Sequence, residues 1–242
     1  MSEPTSYYRA AKTWFDIGAL RIGSWEISLR RHAWEDHRLK EFYDRAATSW
    51  TRKTQRLGLD DAYGTLTAAV STQTIDHPMK VLDIGIGTGV LSSALLRTLG
   101  RDIDLTGVDI SPSMLEVAED RLSSKCAALR LLQSDACDLP FADNSFDLIV
   151  CGHVVEHLCE PSDALREMLR VLRPGGQLLI CITRNTIAGA AIQLMWRTQR
   201  ASPKTAAGWL ATSGFERIEI IELPKHTATS RLSCGYSAFK LR

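Results

Sequence analysis

The sequence predicts a doubly wound α/β fold with a mostly parallel sheet, and three observations predict it. From Lys80 onward, short apolar runs alternate with amphipathic helical patterns, the rhythm of strands joined by crossover helices. One run, Phe146-Asp147-Leu148-Ile149-Val150-Cys151, is almost continuously apolar, as a strand covered on both faces should be. A glycine-rich turn, Gly85-Ile86-Gly87-Thr88-Gly89, closes the first run and opens the first helix. That is where open α/β sheets bind ligands.

Residues 1–76 read as an N-terminal helical extension or cap. Aromatic and apolar residues such as Trp14, Phe15, Ile17, Trp25 and Leu29, then Leu39, Phe42 and Trp50, interleave with charges. Gly18, Gly23, Gly58 and Gly64 are its breaks. Residues 77–242 form the α/β domain. Its first strand covers 81–84 and a helix follows over 90–99. The second strand, 103–110, is capped by Ser111-Pro112, a good helix start. Strands follow at 129–133 and 146–151, then a helix from Pro161 through Leu172, stopped by Pro174-Gly175-Gly176. A fifth strand spans 177–183. Residues 185–200 form an apolar insert, a candidate lid helix. After a helix over 203–212, the runs 215–223 and 231–241 read as two antiparallel strands with no helix between them.

The bulk properties exclude several classes. The chain has 242 residues, 45% hydrophobic and 24% charged, an ordinary globular composition. A net charge of +1 provides no global field toward nucleic acid. Six cysteines are present without a CxxC pair or zinc spacing, so no metal is expected and the thiols read as reduced. No signal-peptide pattern and no apolar stretch of ~20 residues is found, which points to a soluble cytoplasmic protein.

The chemistry begins at the glycine turn. Twenty residues beyond Gly89, at the end of the next strand, lies Asp109, whose carboxylate can accept from both hydroxyls of a ribose. The dinucleotide fingerprint is G-x-G-x-x-G. Here the third glycine comes one residue early and Val90 holds the later position, which disfavours NAD or FAD. Asp109 could instead cap the following helix, but Ser111 fills that role better. Asp147, at a strand start, reads as structural.

Val81-Leu82-Asp83-Ile84-Gly85-Ile86-Gly87-Thr88-Gly89 and Thr106-Gly107-Val108-Asp109-Ile110-Ser111-Pro112 resemble the first two motifs of the class I S-adenosylmethionine-dependent methyltransferases. Asp135-Ala136 with Leu139-Pro140-Phe141, and Leu169-Arg170-Val171-Leu172-Arg173-Pro174-Gly175-Gly176, are similar to two later blocks. Within that class the pattern is similar to the type 11 family, which includes quinone C-methylation enzymes. The resemblance implies a seven-stranded Rossmann-like sheet with an antiparallel C-terminal strand, and S-adenosylmethionine as cofactor. It further implies that Gly85, Gly87 and Gly89 line the methionine part, with Asp83 facing the cationic end through nearby groups. Asp109 would hold the ribose and Ile110 pack on adenine. Asp135 would bond the adenine amino group, with Ala136 lending its amide. Cys151 and His153 would face the sulfonium. Phe42-Tyr43-Asp44 is similar to a helix that closes over the cofactor in relatives, where Tyr43 could serve as a cation–π partner.

Methyl transfer from a sulfonium needs alignment more than acid–base help, and proximity alone can supply ~7–11 kcal/mol. A base is needed only for a protonated nucleophile. His153 and His157 are the candidates, since both follow the fourth strand. The expected acceptor is a small molecule, apolar, aromatic or lipid-like. Protein or nucleic-acid methylation is the alternative, although Cys151-Gly152-His153-Val154 lacks the Asn/Asp-Pro-Pro-aromatic motif of amino-group methylators. A non-catalytic cofactor-binding partner is the third reading. Arg197, Arg200 and Lys204, with Arg30, Arg31, Arg38 and Lys40, would suit peripheral contact with an anionic membrane surface.

Overall fold

The computed structural model describes residues 14–22, 25–32, 41, 44, 57–71, 77–100, 102–158, 160–186 and 201–241. The order of elements is β1 (Trp14–Ile22), β2 (Trp25–His32), α1 (Leu59–Thr67), β3 (Met79–Ile84), α2 (Val90–Leu99), β4 (Ile103–Asp109), α3 (Pro112–Leu122), β5 (Ala128–Gln133) and β6 (Phe146–Gly152). A 3₁₀ turn (Val155–His157), α4 (Pro161–Val171), β7 (Leu172–Thr183), α5 (Pro203–Thr212), β8 (Glu216–Ile221), α6 (Ala228–Leu232) and β9 (Ser233–Phe239) complete it.

Seven strands form one sheet in the order β5-β4-β3-β6-β7-β9-β8. The first five are parallel, while β9 runs antiparallel to both β7 and β8. After β3 the chain winds outward through β4 and β5, then returns to the other side of β3 as β6. The switch point therefore lies between the carboxyl ends of β3 and β6, where a crevice opens in doubly wound sheets.

Side chains along β6 show why its sequence is so apolar. Leu148 and Val150 join Leu66, Leu91, Leu95 and Leu122 on one face. Ile149 and Cys151 join Leu165, Met168 and Leu210 on the other. A strand covered twice has no polar face to display. Ser111 caps α3 by accepting the Met114 amide at 3.2 Å, with Pro112 in the first turn.

Four expectations are corrected. Residues 14–22 and 25–32 are not helical: β1 and β2 pair antiparallel from Trp14↔His32 to Ile22↔Trp25, with an irregularity between Asp16 and Gly18. The sequence Trp25-Glu26-Ile27-Ser28-Leu29-Arg30 alternates with period two, a strand pattern. Gly64 breaks nothing and sits inside α1, which Gly58 opens at φ 72°. A short helix, α6, does fit between the last two strands, because Thr227 accepts the Ser230 amide at its start. Pro174-Gly175-Gly176 also lies within β7, where Gly175 adopts φ 79° and donates to the Lys240 carbonyl.

Arg184 and Ala201 meet in an isolated parallel bridge. The expected lid between them lies, from 187 to 200, outside the described residues, as do Arg38 and Lys40. Among the described residues no helix is long and apolar enough to cross a membrane.

Asp147 ties three strand beginnings together at the edge remote from the switch point. Its carboxylate accepts the Lys80 amide at 2.8 Å and the Arg173 guanidinium at 2.6 Å. Replacing it with alanine leaves both donors to solvent. Asp147→Ala is expected to lower stability by about 1–2 kcal/mol. The measurement is a urea titration, in which the midpoint falls and the slope stays constant.

Candidate functional site

The turn after β3 brings main-chain donors to the crevice. Gly85, Gly87 and Gly89 have φ of 65°, 52° and 73°, in the left-handed region that side chains avoid. Gly85 is constrained twice, since a Cβ there would stand 2.1 Å from Val154 Cγ2. The turn is thus pressed against the segment that follows β6.

Asp109, at the end of β4, fixes the turn from the other side. The Gly87 amide donates to Asp109 Oδ2 at 2.8 Å, and the Ser111 amide to Oδ1 at 3.0 Å. Each oxygen keeps a lone pair beyond its backbone donor. Burial raises the Asp109 carboxyl above its usual range, opposed by the amides of Ser111 and Gly87. Ser111 also donates its hydroxyl to Asp44 Oδ1 at 2.5 Å, so part of the N-terminal segment reaches this corner. Tyr43 itself lies outside the described residues.

Asp83 sits deeper, 1% exposed. It accepts the Ser92 hydroxyl at 2.6 Å, while its Oδ1 is buried with no hydrogen-bond partner among the described residues. Burial pushes its carboxyl up to about 7, with the Ser92 bond opposing and Asp109 adding to the rise. A buried carboxylate in this state is stabilised by a nearby cation.

The β4 and β5 ends lie side by side, with Asp109 opposite Gln133. Gln133 donates to the Ile110 carbonyl at 3.0 Å. Asp135 is exposed and accepts the Cys137 amide at 2.9 Å, while Ala136 is buried behind it. Ile110, Asp135 and Ala136 therefore share one edge with Asp109.

The end of β6 differs from what the sequence suggested. The Cys151 side chain is fully buried in the apolar layer beneath α4 and α5, and burial holds its thiol well above the usual range. His153 instead carries the polar contacts. It adopts φ 61°, uncommon for a residue with a Cβ, and its amide donates to the Cys181 carbonyl at 2.9 Å. Its Nδ1 lies 3.0 Å from Glu156 Oε1. Its Nε2 lies 3.5 Å from both Cys181 Sγ and Ser233 Oγ. Burial disfavours the charged ring, but the Cys181 sulfur and the Glu156 carboxylate outweigh it and hold the imidazole well above its ordinary range.

Glu156, fully buried, accepts from the Thr183 amide at 3.1 Å and hydroxyl at 2.8 Å. Burial would raise its carboxyl, yet the bond and charge of His153 bring it below the usual range. His157 closes the 3₁₀ turn, and burial pushes its imidazole down to about 4. It is the neutral histidine of the two. Tyr63 of α1 covers the strand end: a Cβ on Gly152 would meet its Oη at 2.7 Å, and its ring tilts against that of His153.

Glu156, Thr183, Cys181 and Tyr63 were not singled out from sequence. His153 and Glu156 stand three apart, the spacing that brings side chains together on one turn, and that signal was available. Nothing local links Tyr63 to them.

Residues 82–180 match the family described as a methyltransferase domain. Over 103 residues the chain is 45% identical to the ubiquinone/menaquinone biosynthesis C-methyltransferase of Azotobacter vinelandii, covering 42% of this chain and 41% of that protein. Over 104 residues it is 40% identical to the demethylmenaquinone methyltransferase of Staphylococcus aureus, covering 43% and 42%. The match thus spans about two fifths of the length of these curated relatives. The fold is also that of the phosphoethanolamine N-methyltransferase 2 of Haemonchus contortus, solved with phosphomonomethylethanolamine and S-adenosylhomocysteine. There the TM-score is 0.68 at 18% identity, over 90% of this chain and 63% of that one.

The glycine turn is open to a direct check. Gly85→Ala meets both the left-handed torsion and Val154, and is expected to destabilise the protein by about 1–3 kcal/mol. Differential scanning calorimetry reads this as a lower melting temperature. An unchanged one would show that the turn is not held against Val154.

Proposed function

We propose that this chain, whose residues 82–180 match the methyltransferase-domain family, transfers a methyl group from S-adenosylmethionine to a small-molecule acceptor. The observation that carries this reading is the joint hold of Asp109 on the Gly87 and Ser111 amides at the switch point. It sets a carboxylate with spare lone pairs beside a glycine cradle. The cofactor's chemistry fits the residues present. A ribose offers hydroxyls to Asp109, and a cationic ligand suits a crevice that holds Asp83 with an orphaned buried oxygen.

When bound, S-adenosylmethionine supplies an electrophilic methyl on a sulfonium. Asp109 would hold the ribose, Ile110 would lie against adenine, and Asp135 with the Ala136 amide would bond its edge. Gly85, Gly87 and Gly89 would admit the methionine part to the main chain, and Tyr43 would approach the sulfonium. Cys151 would line that region through its main chain, since its thiol is enclosed. His153 lies on the acceptor side, at the ends of β6, β7 and β9, with His157 behind it. The quinone methylation named for the relatives supports an aromatic or otherwise apolar acceptor.

Isotope-labelled methyl transfer from S-adenosylmethionine into a metabolite extract tests the activity, with label expected in a small molecule. Calorimetry tests the site: both S-adenosylmethionine and its demethylated product should bind, and Asp109→Ala should weaken them about 10- to 100-fold. Heat from neither compound would sink the proposal. Protonation gives a second handle. Asp83 titrates near 7, and a cation favours its ionised form. Binding near that pH should therefore release a proton, more for the sulfonium than for the neutral thioether. Calorimetry in buffers of different ionisation heat measures this, and Asp83→Asn should abolish the difference.

A further inference from the structure

We infer that Glu156 is the positioning carboxylate of a Glu156–His153 base, and that the acceptor therefore reaches the site carrying a proton, which it loses to His153 Nε2. This rests on the methyl-transfer reading and names the class of acceptor: a phenol, an enol, an ammonium or a carbon acid.

The geometry assigns the two ring nitrogens different tasks. Nδ1 faces Glu156 Oε1 at 3.0 Å, and a carboxylate can only accept, so Nδ1 carries the hydrogen. Nε2 is then the nitrogen left to exchange a proton. Ser233 Oγ stands at 3.5 Å, at the limit of a useful hydrogen bond. Cys181 Sγ, also at 3.5 Å, is its hydrogen-bond partner, through a thiol that is a weak donor an acceptor can displace. The side chain is 25% exposed while that of Glu156 is fully buried, so the base meets solvent or ligand and its orienting group does not. This is the division of labour in a nucleophile–base–orienter set.

Two further features go beyond what packing needs. Glu156 Oε1 is fixed by the amide and hydroxyl of Thr183 as well as by His153, yet Oε2 is buried with no partner among the described residues. A neutral glutamine could bond Thr183 without burying a charge. His153 also holds a left-handed backbone, φ 61°, which stores strain of the kind that accompanies functional positions.

The step balances. The acceptor's X–H bond breaks and its proton goes to Nε2, while the X–CH₃ bond forms and the S–CH₃ bond breaks. The sulfonium charge leaves as an imidazolium paired with Glu156, and the sulfur departs as a neutral thioether.

The groups facing His153 are Tyr63 from α1, Cys181 and Thr183 from β7, Ser233 from β9, and Glu156 and His157 from the 3₁₀ turn. Burial lowers the ring's titration, while the Cys181 sulfur and then the Glu156 carboxylate raise it above its ordinary value. The base form accordingly appears as pH rises through that higher value. Removing the carboxylate takes away one of the two groups that hold it there, so the midpoint moves down.

The test is nitrogen-15 NMR of the histidine rings in protein saturated with S-adenosylhomocysteine, with Glu156→Gln, Glu156→Asp and His153→Asn beside the wild type. Asparagine tolerates the left-handed backbone, so His153→Asn probes the ring without disturbing the turn. In the wild type the neutral His153 ring should be protonated at Nδ1. Its midpoint should lie above that of Glu156→Gln, with Glu156→Asp between them. Label transfer should fall about 100-fold in Glu156→Gln and His153→Asn, with the rising limb of the Glu156→Gln pH profile displaced to lower pH and S-adenosylhomocysteine affinity unchanged. Equal His153 midpoints in wild type and Glu156→Gln, or one shared pH profile, overturn the inference while leaving the methyl-transfer reading standing. Failure of the wild type to bind S-adenosylhomocysteine overturns both.

Discussion

Everything at the crevice depends on one short bond, from the Gly87 amide to the carboxylate of Asp109. A carboxylate this enclosed must find donors, and it finds them on the main chain of two different connections, after β3 and after β4. The turn that presents the first of these amides inward has left-handed residues at alternate positions, Gly85, Gly87 and Gly89. Gly85 gives that turn its direction and Val154 gives it a wall. The same corner extends through the Ser111 hydroxyl to Asp44, so a single chain of polar contacts joins the sheet's switch point to the N-terminal segment.

The crevice is electrostatically divided. On the side of β3 and β4 two enclosed acids, Asp83 and Asp109, both hold their protons more tightly than free acids do. On the side of β6 and β7, Glu156 does the reverse, because His153 offers it a partner. Tyr63 lies between the two, and burial with the sulfur of Cys181 and the carboxylates of Asp83 and Glu156 keeps its phenol neutral. That second half supplies its own positive charge, on His153 beside Glu156.

The stretch from 79 to 183 was legible because its rules are local: apolar runs of strand length, glycines at their ends, a Ser-Pro helix start. The turn at 85–89 and Asp109 could be found for the same reason, each sitting at the end of a readable strand. The strand pair at 14–22 and 25–32 is hard to read because aromatic and charged residues interleave there, and only the alternation from Trp25 to Arg30 marks a strand. Proline and two glycines at 174–176 signal a stop, but pairing with Lys240 carries β7 through them, a contact no window can contain. The Glu156 cluster failed differently. Its members come from α1, the turn after β6, β7 and β9, and become neighbours only once the sheet has assembled.

The strand order has a consequence for synthesis. β9 lies between β7 and β8, so β7 remains an open edge through the making of β8 and until residues 233–239 leave the ribosome. Through that interval Leu178, Ile180 and Ile182 flank an unpaired ladder of amides and carbonyls, a template for joining another chain. Ser233, the last neighbour of His153 to be made, arrives with the strand that closes this edge. The nascent protein thus completes its polar crevice and loses its stickiest border in the same event.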